Sequence, residues 1–420
     1  MMTKVLKCNR CGFCQDVCPT YSVSKREYDV ARGRIRLARL VTEGSYQWGT
    51  YQELEDHIKS CLLCKACVAN CPSTVLTDQI MMEARAKINA AKGFSTFHKL
   101  VYRGMLSDQR KLRRISGLAR FYQHSGARKL VQGTRILGIV KKLKRMEAIL
   151  PDLPQKNFSQ QAPAVLKTLV KPKYRIGYYV GCATNAFFSQ VAVAVTKVLQ
   201  HYGCQVYIPE IQCCGGPHQS AGDFEEARRL AKINIDKISE LSVDYIVTDC
   251  ATCGSTIKEY SSLLMNDHEY ARKAIHVSSK LVDVNDFILN HFEISNLNPV
   301  NIKVSYHDPC HGIRGLKVSR EPRRLLKLIP GLELTEMKQA DWCCGGAGSY
   351  CFTNPQSSEK ILDLKIMNFQ KTGAGILATS CPACMMQLGY GLKNHAINAR
   401  VLHPMQILLQ AIEVNSNENK

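Results

Sequence analysis

Cysteine is the residue type whose number and spacing could do chemistry in this chain. There are 20 cysteines among 420 residues, and all except Cys204 and Cys351 fall into four sets. The two N-terminal sets share the pattern C-x2-C-x2-C-x3-C-P and consist of Cys8, Cys11, Cys14 and Cys18 before Pro19, and of Cys61, Cys64, Cys67 and Cys71 before Pro72. The two C-terminal sets each combine a single cysteine, an adjacent pair and a C-x2-C step, at Cys182, Cys213, Cys214, Cys250 and Cys253, and at Cys310, Cys343, Cys344, Cys381 and Cys384. Thiols at such close spacings favour metal binding or redox chemistry over structural disulfides.

The two N-terminal sets indicate a pair of [4Fe–4S] clusters. Their pattern is that of bacterial two-cluster ferredoxins, in which the fourth cysteine of each run binds the cluster of the other run. We therefore expect one cluster on Cys8, Cys11, Cys14 and Cys71, and a second on Cys61, Cys64, Cys67 and Cys18. Zinc also uses C-x2-C spacing, but a zinc site needs neither the third cysteine step nor a C-P in both runs.

The adjacent cysteines belong to two copies of the tetrapeptide C-C-G-G, at 213–216 and 343–346. Consecutive Cα atoms lie about 3.8 Å apart, which is closer than an unstrained disulfide prefers. Both thiols can reach one site if the backbone turns sharply, and the glycines that follow permit such a turn. With five thiols in each set, either one cysteine is a spare or redox-active thiol, or the cluster is noncubane. The alternative is a four-thiolate zinc site plus one buried cysteine in each set.

The elements around the C-terminal sets repeat in the same order, so that each set forms part of what we call a CCG copy. Short β-like runs lie at 175–181, 205–209 and 245–249 in the first copy, and at 302–306, 332–337 and 375–379 in the second. Helical spacing marks the intervening segments 223–241 and 357–369. The alternation predicts a parallel sheet with crossover helices in each copy, with the cysteines at the sheet edge where ligands bind.

The sequence therefore predicts a multi-domain α+β protein. We expect a helical two-cluster ferredoxin domain at 1–90, a basic helical linker at 91–172, and two duplicated α/β domains at 173–298 and 299–420. The prolines between 151 and 172 are typical of a linker that leads into the first CCG copy.

The positive charge of the chain is concentrated in its middle. Lys and Arg outnumber Asp and Glu by 56 to 35, a formal net charge of +21, and much of the excess lies between residues 99 and 145. An amphipathic basic helix is indicated there by the apolar residues Ile136, Val140, Leu143 and Met146 and the basic residues Lys141, Lys142, Lys144 and Arg145. Three uses remain open: contact with an anionic membrane surface, docking of an acidic redox partner, or the solvated exterior of a linker. Because few aromatic residues are interleaved with the charge, we expect no nucleic-acid binding.

The N-terminal residues carry no signal-peptide pattern, and no apolar run approaches 18 residues. These features favour a cytoplasmic protein, and the basic segment adds peripheral contact with the inner face of the cytoplasmic membrane as a further expectation.

Three histidines, His218, His307 and His311, lie within a few residues of the motif cysteines. They are candidates for hydrogen bonds to cluster sulfur or for proton delivery. Loop histidines bonded to the backbone are the alternative.

The cysteine sets, together with several short stretches, resemble one known family. The stretches are C-G-F-C-x3-C-P-T-Y at 11–21, G-R-I-R-L at 33–37, K-E-Y at 258–260, Y-H-D-P-C-H at 306–311 and C-P-A-C-M-M-Q-L at 381–388. As a set they resemble the iron–sulfur subunit of glycolate/lactate oxidases, over nearly the whole chain except the basic middle. Similar layouts occur in the iron–sulfur subunit of anaerobic glycerol-3-phosphate dehydrogenase and in heterodisulfide reductases.

The resemblance implies a division of labour between subunits. A separate flavoprotein with bound FAD would oxidise the 2-hydroxy acid, and this chain would pass the electrons to a quinone or another carrier. The chain has no glycine-rich dinucleotide fingerprint after a strand, which fits FAD on the partner. Because both CCG copies keep all five thiols, as heterodisulfide reductases do, a catalytic subunit that reduces a disulfide at a CCG-bound cluster is the alternative. A zinc-stabilised scaffold is a third, non-redox hypothesis.

Overall fold

The structure is a computed structural model that describes residues 1–125, 141–168 and 171–413. Ile136 and Val140 of the predicted basic helix lie outside these residues, as do residues 414–420 of the predicted last domain. The N-terminal part is helical, with α-helices Met2–Val5, Pro19–Ser24, Ala31–Thr42, Gln52–Lys59, Ala66–Ala69 and Thr77–Lys92 and a 3-10 turn at Glu27–Asp29. The middle segment contains the π-helix His98–Leu106, the α-helices Gln109–His124 and Lys141–Ile149, and the 3-10 turn Phe158–Gln160.

The C-terminal half alternates strands and helices in both copies. The helices of the first copy are Cys182–Phe187, Ser189–His201, Gly216–Ser220, Phe224–Ser239, Ala251–Lys258, Tyr260–Leu263, Tyr270–Lys280 and Val284–His291. Those of the second copy are the π-helix Gly312–Leu316 and the α-helices Arg320–Lys327, Tyr350–Thr353, Pro355–Gln370, Pro382–Asn394 and Pro404–Glu413.

Three N-terminal helices, Ala31–Thr42, Gln52–Lys59 and Thr77–Lys92, pack around a small apolar core that includes Ile58 and Met81. The first of them lies very close to the turn that precedes it. A Cβ added at Gly33 would lie 1.9 Å from the Glu27 carbonyl oxygen, so only glycine fits there. This close packing fixes the loops that carry the first two cysteine sets.

The first sheet has the strand order β1-β3-β2-β4-β5. Its strands are β1 (Val165–Leu166), β2 (Tyr174–Tyr178), β3 (Cys204–Tyr207), β4 (Tyr245–Thr248) and β5 (Leu281–Asp283). All neighbouring pairs are parallel except β1 with β3. The parallel strands therefore end at one edge of the sheet, and the loops of the first CCG copy leave from that edge.

The second sheet repeats the parallel part of the first, with the order β7-β6-β8-β9. Its strands are β6 (Lys303–Tyr306), β7 (Glu333–Leu334), β8 (Ile376–Ala378) and β9 (Arg400–Leu402), and every pair is parallel. The predicted fold class is thus confirmed, a helical N-terminal part followed by two duplicated α/β units. The prediction omitted the edge strands β1, β5 and β9, because two or three residues are too few to show the alternation by which a strand is recognised.

The two copies share one apolar core and are not independent bodies. Ile176 and Val247 of the first sheet belong to the same buried cluster as Val304 and Ile376 of the second. Helix Ser189–His201 of the first copy also packs on helix Pro404–Glu413 of the second. Because the sheets are held against each other, their cysteine loops meet at a fixed distance.

The middle segment is tied to the first copy through Asp223, which is 1% exposed. Its carboxylate accepts hydrogen bonds from Arg103 Nε and Nη2, both at 2.8 Å, and contacts His98 Nε2 at 2.9 Å. Although burial opposes ionisation, these partners hold the pKa of Asp223 below its usual value. The π-helix is thereby fixed beside the cysteine loops.

The structure corrects one part of the predicted basic helix. Arg145 does not lie on a free polar surface, since its Nε donates to the Cys351 carbonyl at 2.6 Å and its Nη1 pairs with Glu359 of the second copy. The guanidinium also lies over the Tyr390 ring, 5.9 Å from its centroid. A guanidinium group is planar and weakly hydrated, so hydrogen-bond acceptors and an aromatic ring can hold it against the protein.

Among the described residues, no helix has the length and apolarity needed to span a bilayer.

Candidate metal centres

The outer ferredoxin group gathers Cys8, Cys11, Cys14 and Cys71 around a cavity of about 30 Å³. Cys11 is exposed, and Cys67 of the second run also lines the cavity. The Val75 N–H points at Cys71 Sγ from 3.5 Å. Backbone donors of this kind stabilise thiolate sulfur. The four cysteines expected to hold one cluster thus line one cavity, and the crossed assignment of ligands stays a prediction.

The inner ferredoxin group gathers Cys18, Cys61, Cys64 and Cys67 around a second cavity, of about 20 Å³. Here too the fourth cysteine of one run joins three cysteines of the other. Burial raises the pKa of Cys64 to about 12, with a further contribution from Cys310. A thiol in this position needs a metal ion to become a thiolate at neutral pH.

Two arginines flank the inner group, Arg34 fully buried and Arg85 partly buried. Arg34 is 1% exposed and donates to the carbonyls of Asp29 at 2.6 Å and His57 at 2.8 Å, with its charge close to Cys61 and Cys18. Arg85 donates to the Cys61 carbonyl at 2.6 Å and to the Ser220 carbonyl at 2.7 Å. Positive charge that water does not screen favours the more negative, reduced form of a cluster.

Sequence reasoning missed both arginines as functional residues. A signal for Arg34 was available, because it lies at helical spacing with the buried residues Ala31, Ala38 and Val41 and so belongs to the inward face of its helix. A charged residue on such a face is rarely buried without a partner.

The first CCG copy brings its five thiols into contact. Cys182 lies just beyond β2, the adjacent pair beyond β3 and the C-x2-C step at the end of β4. Cys213 contacts Cys182 and Cys214, Cys214 contacts Cys253, and Cys253 contacts Cys250. Gly215 has φ +85°, the left-handed conformation that turns the backbone and brings both adjacent thiols to one site.

The second CCG copy repeats this arrangement beyond β6, β7 and β8. Cys343 contacts Cys310 and Cys344, and Cys384 contacts Cys344 and Cys381. Gly345 takes φ +83°, and its N–H points at Cys343 Sγ from 3.4 Å. All five of these thiols line a cavity of about 170 Å³, several times larger than the cavities at the ferredoxin groups.

The two thiol sets join where equivalent loops meet. Cys250 of the first copy contacts Cys381, its counterpart in the second. Ala251 N donates to the Ser380 carbonyl at 3.0 Å. At the counterpart of Ala251 the second copy has Pro382, which has no N–H, and the carbonyl of Asp249 is contacted instead by His403 Nε2 at 3.1 Å. The thiols of both copies thus form one continuous chain of contacts.

The inner ferredoxin group adjoins the second CCG copy. Cys64 belongs to a small buried cluster with Leu62, Cys343 and Tyr350, and Cys310 packs against that cluster. The described cysteine groups therefore form a series, from the outer group at the surface, through the inner group and the second CCG copy, to the first CCG copy.

The donor set fits iron–sulfur clusters. Hydrogen bonds from Cys343, Cys384 and the Gly346 N–H hold the pKa of Cys344 well below its usual value, and contacts with Cys213 and Cys253 do the same for Cys214. Contact with Cys343 and burial raise the pKa of Cys310. Not all of these buried thiols can ionise together without cations among them. A zinc ion takes only four ligands, so vicinal thiols in a continuous chain suit polynuclear clusters better.

The three predicted histidines take different positions. His218 lies against the middle segment, 2.9 Å from Ser107 Oγ and 3.2 Å from the Tyr102 carbonyl. His311 lines the cavity of the second copy, with Nδ1 3.1 Å from Thr252 Oγ1. His307 is fully buried beside the thiols of Cys344 and Cys384. The cysteines outside the four sets, Cys204 and Cys351, are buried apart from the chain of thiols.

Models of three protein families match the chain. A 4Fe-4S dicluster domain matches residues 4–75, and a cysteine-rich CCG domain matches 176–258 and again 304–389. The linker region of glycolate oxidase iron–sulfur subunits matches 95–150. This last match corrects the expectation that the resemblance leaves out the basic middle.

Curated relatives agree with the family models. A probable glycolate oxidase iron–sulfur subunit from Bacillus subtilis is 34% identical over 419 residues, covering 97% of this chain and 94% of that protein. Lactate utilization protein A from Bacillus velezensis is 32% identical over 56% of this chain and 98% of its own length. One fumarate reductase (CoM/CoB) subunit from Methanothermobacter marburgensis is 30% identical over 56% of this chain and 46% of its own. With ferredoxin cysteines, linker and both CCG copies all matched, the chain belongs to the family of glycolate oxidase iron–sulfur subunits.

Proposed function

We propose that this chain is the electron-transfer subunit of a flavin-dependent 2-hydroxy acid dehydrogenase that acts on glycolate or lactate. A partner subunit with FAD oxidises the hydroxy acid, and a quinone or another carrier accepts the electrons. The observation that carries the proposal is the serial arrangement of the cysteine groups, with Cys64 beside Cys310 and Cys343 and with Cys250 beside Cys381. When bound, iron–sulfur clusters supply one-electron redox chemistry at each group.

The residues have distinct parts in this proposal. The outer ferredoxin group holds one [4Fe–4S] cluster and the inner group another. The CCG thiols hold one or two further iron–sulfur clusters, of cubane or noncubane type. The arginines beside the inner group neutralise charge, and the apolar cluster around Tyr350 excludes water between the inner group and the second copy. The names of the relatives, a glycolate oxidase subunit and a lactate utilization protein, support glycolate and lactate as the substrates of the whole complex.

Purification of the tagged chain from its own host without oxygen tests the proposal. We expect an FAD-containing flavoprotein to co-purify, and glycolate or lactate to reduce the iron–sulfur EPR signals of the complex until a water-soluble quinone reoxidises them. Cys64→Ser should interrupt this transfer, whereas Cys204→Ser, in the core of β3, should leave it intact. If neither glycolate nor lactate reduced the clusters of an intact complex, the proposal would be contradicted.

The alternative function is reduction of a disulfide by the chain itself. It is favoured by the cavity of about 170 Å³ at the second CCG copy, since the ferredoxin cavities of about 20 and 30 Å³ leave much less space beside their thiols. This alternative would be favoured if no flavoprotein co-purified and the preparation reduced a disulfide with reduced viologen as the electron donor.

We also propose that the complex is cytoplasmic and rests on the inner face of the membrane through the segment 99–145. In the described part of this segment, Leu118 and Phe121 are each 71% exposed on helix Gln109–His124, which also carries Arg110, Lys111 and Arg114. Exposed apolar side chains beside basic ones suit an anionic lipid surface. Replacing Leu118 and Phe121 by serine should reduce co-sedimentation with phosphatidylglycerol vesicles; unchanged sedimentation would contradict this contact. Replacing the exposed Met265 by serine is the matched control.

A further inference from the structure

We propose that His307 is a nitrogen ligand of the metal centre at the second CCG copy, so that this centre has mixed sulfur and nitrogen donors while the centre of the first copy has thiolates alone. The inference deepens the proposed function, because it assigns a ligand to one of the clusters invoked there.

The surroundings of His307 are those of a metal ligand. The side chain is 0% exposed, and neither ring nitrogen has a hydrogen-bond partner among the described residues. A ring nitrogen and the sulfur atoms of Cys344 and Cys384 all lie within 4.8 Å of one another. A buried polar group left without a partner is destabilising, and a metal–nitrogen bond would offset that cost.

The nearby Ala340 carbonyl already accepts from two other donors. Its oxygen accepts from the Asp308 N–H at 3.1 Å and from Lys365 Nζ at 3.2 Å, which occupies both of its lone pairs. A ring nitrogen of His307 thus faces the thiols of Cys344 and Cys384.

The first copy provides an internal comparison, because the same positions carry other residues there. Tyr179 stands at the place of His307, in the same position relative to the strand and the first cysteine. Its hydroxyl donates to the Gln212 carbonyl at 3.0 Å and accepts from Asn234 Nδ2 at 3.2 Å. Asn234 stands at the place of Lys365 and also donates to the Cys213 carbonyl at 3.0 Å.

The surroundings of the two metal centres therefore differ. In the first copy Tyr179 and Asn234 form hydrogen bonds with each other and with the backbone, and neither offers a nitrogen lone pair to a metal ion. In the second copy lysine occupies the backbone acceptors and leaves the histidine facing the thiols. Imidazole carries no charge, so a cluster in which it takes the place of one thiolate is less negative and has a higher reduction potential. The second centre, which adjoins the inner ferredoxin group, would thus accept electrons more readily than the first.

Pulsed EPR on the reduced holo-protein tests the assignment. The protein is prepared once with natural-abundance histidine and once with ¹⁵N-histidine, and the nitrogen couplings of the CCG signal are compared. We expect a directly ligated nitrogen whose coupling changes with the isotope. His307→Tyr, which copies the residue of the first copy, should abolish that coupling, whereas His311→Asn should keep it.

Either of two results would overturn the assignment: a CCG signal without histidine coupling in the wild-type protein, or a coupling that persists in His307→Tyr. The isotope comparison needs no variant, so it stands even where His307→Tyr fails to fold. It also separates this inference from the proposed function, because the coupling does not depend on whether a flavoprotein or a hydroxy acid is involved.

Discussion

Replacing Cys344 by serine should remove the centre at the second CCG copy while both ferredoxin clusters remain. Cys344 lies in the middle of its thiol set, between Cys343 and Cys384, and also receives the Gly346 N–H. A serine hydroxyl ionises far less readily than a thiol and is a poor ligand for iron that prefers sulfur. We expect the iron content to fall by the atoms of that one centre, while the approximately eight atoms of the two ferredoxin cubanes remain and their EPR signals are unchanged.

Cys351→Ser is the matched control for this variant. Cys351 is as buried as Cys344 and lies in the short helix Tyr350–Thr353 that follows it, where its thiol donates to the Gly348 carbonyl at 3.6 Å. Its iron content should equal that of the unmodified protein. Loss of all clusters from Cys344→Ser would show that the sites do not assemble separately, and unchanged iron would exclude Cys344 as a ligand.

Gly33→Ala should unfold the N-terminal part or empty its inner centre. The added Cβ would lie 1.9 Å from the Glu27 carbonyl oxygen and 2.7 Å from its carbon, so the turn and the helix must move apart. Overpacking of this kind costs about 3 kcal/mol or more where backbone is the obstacle. The neighbouring Arg34 would be displaced from the Asp29 carbonyl and from Cys61, so the EPR signal of the inner cluster should be lost first. Urea unfolding under nitrogen, followed by circular dichroism, measures the change in stability.

Gly117→Ala separates this effect from any general consequence of filling a helical glycine. Gly117 lies within helix Gln109–His124, and an added Cβ there meets nothing within 4 Å. Alanine should stabilise that helix by about 0.5–1 kcal/mol. If Gly33→Ala destabilised the protein no more than Gly117→Ala does, the close approach between the helix and the turn would be contradicted.

Much of the site follows from local spacing and could be predicted. Three cysteines on one tight loop, and glycine after an adjacent pair, are constraints that involve a few consecutive residues, and the structure places those thiols together. The exchange of Cys18 and Cys71 between the clusters of the two runs depends on a long-range contact. It could still be predicted, because this exchange is a known property of the pattern.

Other features depend on contacts that no local pattern encodes. The meeting of Cys250 with Cys381 requires the docking of two sheets through a shared core, and neither CCG set gives a sign of it. Arg145 has the pattern of a surface residue, yet it is held by Glu359 and Tyr390 of a domain far along the chain. The role of His307 depends on Lys365 having taken a nearby acceptor, which is visible only once both side chains are placed.

Arg85 joins two parts of the molecule, since one guanidinium binds the carbonyl of Cys61 in the inner ferredoxin group and that of Ser220 in the first CCG copy. Filling the inner centre and docking the two domains are therefore linked equilibria, in which each step makes the other more favourable. We therefore expect a chain that has received no iron to be held together less tightly and to expose more of its backbone to proteases, so that its lifetime in the cell would depend on the supply of iron.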